Sequence, residues 1–133
     1  MSKWQRTFGQ ARNNIVRRMT DVQRRIALDA FGRVVRRTPV DTGRARGSWG
    51  VAIGQPRPGP RDREDKDGSQ AMAEVQNAIA TMQLGDRIFL VTSLEYMPVL
   101  ETGSSGQAPA GMVRITRNEI QPMADAAVRA ARR

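Results

Sequence analysis

The sequence predicts an α+β fold: a long N-terminal helix, a small antiparallel sheet, and a middle helix and a C-terminal helix packed on that sheet. Three observations predict it. Ile15, Met19, Val22, Ile26, Ala30 and Val34 recur at steps of three and four, the period of a helix and not of a strand. Residues 45–54 and 87–93 are short stretches of strand character bounded by turn residues. Residues 70–82 and 111–133 return to helical spacing. The order helix, strand, helix, strand, helix, in a chain of 133 residues, is that of a single domain over 1–133.

The first helix occupies residues 1–37. It stops near Arg37 because the residue before Pro39 is pushed out of the helical region. Gly9 and the pair Asn13-Asn14 weaken its first turns. At about 100° per residue, Arg6, Arg17 and Arg24 fall within roughly 20° of one another, and Lys3, Arg18, Arg25 and Arg36 extend that stripe. It lies across the helix from the apolar row and holds almost no carboxylate, so it suits phosphates or an acidic partner. The alternative is a solvated helix face that uses arginine as a good helix former. Trp4 is either an anchor for a neighbouring subunit or buried in its own domain.

Thr38-Pro39-Val40-Asp41-Thr42-Gly43-Arg44 has turn chemistry. Residues 45–54 then read as a strand, with Trp49, Val51 and Ile53 on one face and Trp49 in the core. Residues 55–69 form a polar loop rich in Pro and Gly; lacking an apolar anchor, it is expected to be mobile or ordered by a partner. Ser69 is a candidate cap for the helix over 70–82, whose apolar face holds Met72, Val75 or Gln76, Ile79 and Met82. Leu84-Gly85-Asp86 is a turn. Residues 87–93, apolar on both sides at the centre, suit a central strand of a covered sheet. Residues 94–100 read as a short edge or turn segment and 101–110 as a loop. The final helix, over 111–133, is expected to kink or restart at Pro122.

Composition excludes several classes of chemistry. There is no cysteine and no histidine, which removes disulfides, thiolate metal sites and every Ser-His-Asp or Cys-His arrangement. The reading is therefore a protein that is not an enzyme and has no cofactor. Asp62, Glu64, Asp65 and Asp67 lack the calcium-loop spacing and sit among Arg57, Arg61, Arg63 and Lys66, so they read as a solvated, charge-balanced loop. No phosphate-loop or dinucleotide-binding glycine pattern occurs. Glu95 and Glu101 as a hydrolytic carboxylate pair have no other support. The net charge of +9 is uneven: residues 1–37 hold ten basic and two acidic groups, and the remainder is close to neutral. No apolar run is long enough to span a bilayer, and the arginine-rich beginning does not read as a signal peptide.

Three segments carry a family resemblance. They are Arg37-Thr38-Pro39-Val40-Asp41-Thr42-Gly43-Arg44-Ala45-Arg46-Gly47-Ser48-Trp49, then Ile88-Phe89-Leu90-Val91-Thr92-Ser93-Leu94-Glu95-Tyr96, and then Leu100-Glu101-Thr102-Gly103-Ser104-Ser105-Gly106-Gln107-Ala108-Pro109-Ala110-Gly111-Met112-Val113-Arg114. In order and wording they resemble the tail-component family of long-tailed bacteriophages, which includes neck and tail-completion proteins and is compared with the minor tail protein Z of lambda-type phages. The resemblance covers roughly residues 30–125.

It implies a structural virion protein without catalytic residues, a subunit of a homo-oligomeric ring joining the tail to the DNA-filled head. The natural stoichiometry is six, because a tail tube is sixfold and a ring must close. It also implies head-closure or connector proteins and tail-terminator or tail-tube proteins as neighbours, assembly in the host cytoplasm and residence in the virion, with no membrane partner. On this reading Asp41, Arg44, Arg46, Glu101 and Arg114 make contacts between subunits or layers; the alternative is that Asp41 and Glu101 cap local turns. The stripe of Arg6, Arg17, Arg18, Arg24 and Arg25 lines a DNA channel through non-specific phosphate contacts, or docks on an acidic neighbour. A tail terminator or head-closure protein is the near alternative, and a free-standing basic nucleic-acid-binding protein the alternative of another class.

Overall fold

The structure, a computed structural model, describes residues 2–132. Its first helix, α1, spans Lys3–Arg37. Ser2 opens it with a capping box: the Gln5 amide donates to Ser2 Oγ at 3.3 Å, and the Ser2 amide donates to Gln5 Oε1 at 2.8 Å. The helix ends where Pro39 requires it, with Thr38 extended at φ −67° and ψ 127°. Arg36 and Arg37 in the last turn complement its dipole.

The remaining elements are α2 (Arg44–Gly47), β1 (Gly50–Ile53), α3 (Ser69–Thr81), β2 (Ile88–Val91), α4 (Met97–Glu101), α5 (Val113–Asn118) and α6 (Ile120–Ala131). The two strands pair antiparallel, with Gly50 opposite Val91 and Ile53 opposite Ile88. The α+β class is the expected one, but the C-terminal helix α6 packs chiefly on α1 and not on the sheet. The body half of α1 is packed by α3 and α6, and α3 also packs on β1. One apolar cluster holds Val34, Val35, Ala45, Trp49, Ala71, Leu94, Met97, Ala108 and Met112. A second joins Ala27, Val75, Ile79 and Met82 to Phe31, Val51, Ile53 and Ile88. Leu90 touches both.

Several elements differ from expectation, each for a local reason. The apolar row of α1 is not one buried face: Ile15 is 58% exposed and Met19 52%, while Ala27, Ala30, Val34 and Val35 are buried. Residues 44–47 form a helical turn rather than the start of a strand. The 87–93 strand is shorter than expected, and its one partner among the described residues is β1, so it is not central; all four of its residues are half-buried. Residues 97–101 are helical, with Pro98 in the first turn, where a missing amide costs nothing. The C-terminal helix breaks at Glu119 and Pro122 sits in the first turn of α6, a restart rather than a kink.

Ser69 does not cap α3. Gly68 does, and the nearby donors go to Asp67, which accepts from the Ser69 amide, and to Asp65, which accepts from the Ala71 amide at 2.9 Å. Asp65 is therefore buried at 3% exposure, not solvated. Residues 55–69 are held by polar anchors in place of apolar ones. The Arg63 guanidinium donates to Gly47 O and Trp49 O and pairs with Glu74, and the Gly59 amide donates to Ser93 Oγ.

Candidate functional site

The segment from Thr38 to Trp49 wraps the C-terminal end of α1. Thr38 is fully buried; its hydroxyl donates to Val34 O at 2.8 Å and accepts from Trp49 Nε1 at 2.8 Å. That one side chain ends the helix and satisfies the indole, which would otherwise be an orphaned buried donor. Gly43 sits at φ +90°, and a Cβ there would lie 2.6 Å from the Lys66 amide nitrogen. A Cβ on Gly47 would meet Arg63 O at 2.2 Å. Both glycines are needed for the 55–69 segment to lie against α2. Arg46 ties the knot: Nη1 donates to Lys66 O at 2.7 Å, and Nη2 to Arg36 O at 2.9 Å and Thr38 O at 3.0 Å. Two of these carbonyls end α1 and lack an intrahelical partner.

The third motif segment closes on the first. Gln107 uses both ends of its amide on one residue: the Val40 amide donates to Gln107 Oε1 at 2.9 Å, and Gln107 Nε2 donates to Val40 O at 3.0 Å. Beside this clasp lies a cleft of about 300 Å³ lined by Pro39, Val40, Asp41, Tyr96, Leu100 and Gln107 among others. Glu101 accepts three amides at the start of α5, from Met112 and Val113 at 3.0 Å and Arg114 at 2.7 Å. Partial burial pushes the Glu101 carboxyl up, but the three amides and the nearby Arg114 charge outweigh it and hold the group below the ordinary glutamate range. The Glu119 carboxyl is also lowered, chiefly by its hydrogen bond from Arg37, with Arg33 adding to the effect.

The structure thus brings 38–47 and 101–111 together at one pole, but it divides the residues expected to face a neighbour. Asp41 is exposed at the lip of the cleft and makes no hydrogen bond among the described residues. Arg44 donates to Arg61 O at 2.7 Å and meets Asp62 at 3.5 Å on the exposed surface. Arg114 is exposed and turns back on Ala110 O. Arg46 and Glu101 are engaged inside the chain: Arg46 on the carbonyls of Arg36, Thr38 and Lys66, and Glu101 on the amides that open α5, the local capping that was its alternative. The Gln107 clasp was not expected, and no spacing rule announces a pairing across 67 residues.

At the opposite pole, residues 3–19 of α1 stand clear of the body; all are exposed except Gly9, which is half-buried. Trp4 is 67% exposed and stacks edge-on against Phe8 with ring centroids 6.2 Å apart. Of its two expected settings, Trp4 thus takes the exposed one. The basic stripe splits. Arg6, Arg17 and Arg18 belong to this arm and are exposed, and Arg17 bonds Asn14. Arg25 is exposed on the body. Arg24 is half-buried and donates to Met82 O at 2.7 Å and Ala80 O at 3.3 Å, closing the end of α3. Its guanidinium is committed to carbonyls and does not face outward with the others.

No group of His, Cys, Asp or Glu among the described residues could hold a metal ion, and no described helix is long and apolar enough to cross a membrane. No family model, no curated protein and no solved structure matches the chain.

Proposed function

We propose that the chain is a structural virion protein of a tailed bacteriophage, a neck or tail-completion subunit that forms a ring at the head–tail junction and joins the tail to the DNA-filled head. The observation that carries this reading is that the molecule has two unlike ends. One end of α1 carries an unburied arm, and the other carries the clasped loops 38–47 and 101–111. Head-to-tail contacts that close a ring need unlike surfaces of this kind, and an isologous dimer does not. The wording of the same loops supports the phage setting through the resemblance set out above. The neighbours on this reading are head-closure or connector proteins on one side and tail-terminator or tail-tube proteins on the other, with genomic DNA passing through the ring. A tail terminator or head-closure protein differs from it in station alone.

Light scattering on the purified chain at two salt concentrations tests the ring: a closed oligomer, with six the expected number, is the predicted mass. Electron microscopy of phage particles lacking the chain is expected to give filled heads separated from tails. Joined, infectious particles would end the proposal. The second reading, a free-standing nucleic-acid-binding protein, is favoured by the arginines of the arm. It predicts tight duplex binding with a steep salt dependence by a chain that stays monomeric.

A further inference from the structure

α6 sits along α1 with its start at Arg33 and Arg37, which both pair with Glu119, and its end at Val22 and Ile26, which share a cleft with Val128 and Ala131. Residues 18 apart on a helix lie about five full turns apart and share one angle. Trp4, Phe8, Ile15 and Met19 therefore point the same way as Val22, Ile26, Arg33 and Arg37. The seat of α6 does not stop where α6 stops. It runs on for some 25 Å of arm at 1.5 Å per residue, now uncovered, and in this stretch its side chains are aromatic and aliphatic. The groove at its base, lined by Met19, Val22, Ile26, Leu84 and Val128, joins the covered and uncovered parts.

We propose that residues 3–19 of α1 are the docking seat of an acidic amphipathic helix from another protein, which lies along this seam in line with α6. The seam is narrow, within roughly 80° of the helix surface, which is the width of a helix–helix contact and not of a face lying in a membrane. Arg12 borders it beside Trp4 and Phe8, Arg18 borders it beside Met19, and the sequence has no acidic residue before Asp21. The arm of a second copy would bring the same cations against them, so like charge disfavours pairing of arms. Duplex DNA would engage the arginines and leave Trp4 and Phe8 in water. A helix with an apolar stripe flanked by carboxylates satisfies both the stripe and the charge. The inference rests on the ring-subunit reading only in supplying a neighbour of that chemistry.

The test uses the whole chain and a tryptophan-free peptide of three heptads, with Leu at both core positions and Glu beside them; a Lys version is the control. Trp4 reports docking by a blue shift in emission, over a constant contribution from the buried Trp49. The expected result is saturable binding of the Glu peptide alone, weakened about tenfold between low salt and roughly 0.5 M salt. Phe8→Glu and Ile15→Glu, both at exposed positions, are expected to abolish it while the circular dichroism of the body stays that of the wild type. Four results would overturn the proposal: no shift with the Glu peptide; equal binding of the Lys peptide; a shift with anionic phosphatidylserine vesicles or duplex DNA but not with peptide; or burial of Trp4 by self-association without peptide. Loss of peptide binding with rings still forming sinks this inference alone, and peptide binding by a chain that joins no head to a tail sinks the ring reading alone.

Discussion

The two halves of α1 share one helix and one period but are held by different forces. From Ala27 to Val35 the helix is fixed by burial, with Val35 fully enclosed and Val34 in the first apolar cluster. From Lys3 to Met19 the contacts seen are local, among them the Ser2–Gln5 capping box, the back-bonds from Thr7 to Lys3 O and from Thr20 to Val16 O, the Arg17–Asn14 bond and the Trp4–Phe8 ring contact. Such local terms are each worth about 0.2–1 kcal/mol. The arm is thus an extension of an anchored helix, nucleated from the body, and its apolar side chains Trp4, Phe8, Ile15 and Met19 are exposed to something outside the chain. Periodicity marks a face as apolar but does not say which molecule covers it.

Four changes would break or sharpen that contrast. The largest effect belongs to Trp49→Ala, which empties a buried site and leaves Thr38 without its donor; a loss of about 3–5 kcal/mol in denaturant unfolding is expected. Next is Arg46→Ala. It strips partners from Arg36 O, Thr38 O and Lys66 O, and should lower stability by about 2 kcal/mol, loosening the 55–69 segment to proteolysis. Third is Glu101→Gln. Its folded carboxyl is held below the ordinary value of 4.5, so its stabilisation is full above that value and is lost as pH falls through the lower folded one. Thermal melts of the wild type should fall over that acid window, and the variant should show a shallower fall from a lower plateau. The smallest effect is Phe8→Ala, a 72% exposed site, which should leave the body's unfolding midpoint within about 0.5 kcal/mol. A large loss there would mean that the arm packs on its own body, and the contrast would be gone.

The sequence was legible where a local rule acts alone. Pro39 marked the end of α1, and the dense apolar run marked β2. It was least legible where a residue's role is set by distant chain. Residues 44–47 and 97–101 are single helical turns, too short for a period to show. Asp65 read as one more solvated carboxylate because its partner, the Ala71 amide, becomes available only once α3 begins. The internal role of Arg46 does not show in the sequence, because its three carbonyls lie ten and eight residues before it and twenty after. The Trp4–Phe8 pair is legible in the sequence itself, since its spacing of four places both rings on the angle of Ile15 and Met19.

The arm is also a ruler with a phase. Each residue adds about 1.5 Å of reach and turns the seam by about 100°. Removing seven residues from its exposed middle would shorten it by roughly 10 Å and return the rings to within about 20° of their present heading. Removing two would shorten it by only about 3 Å and turn them to the far side. Whatever meets Trp4 and Phe8 is therefore set at a fixed distance and a fixed bearing from the body. Of the two, the bearing is the more sensitive to a change in length.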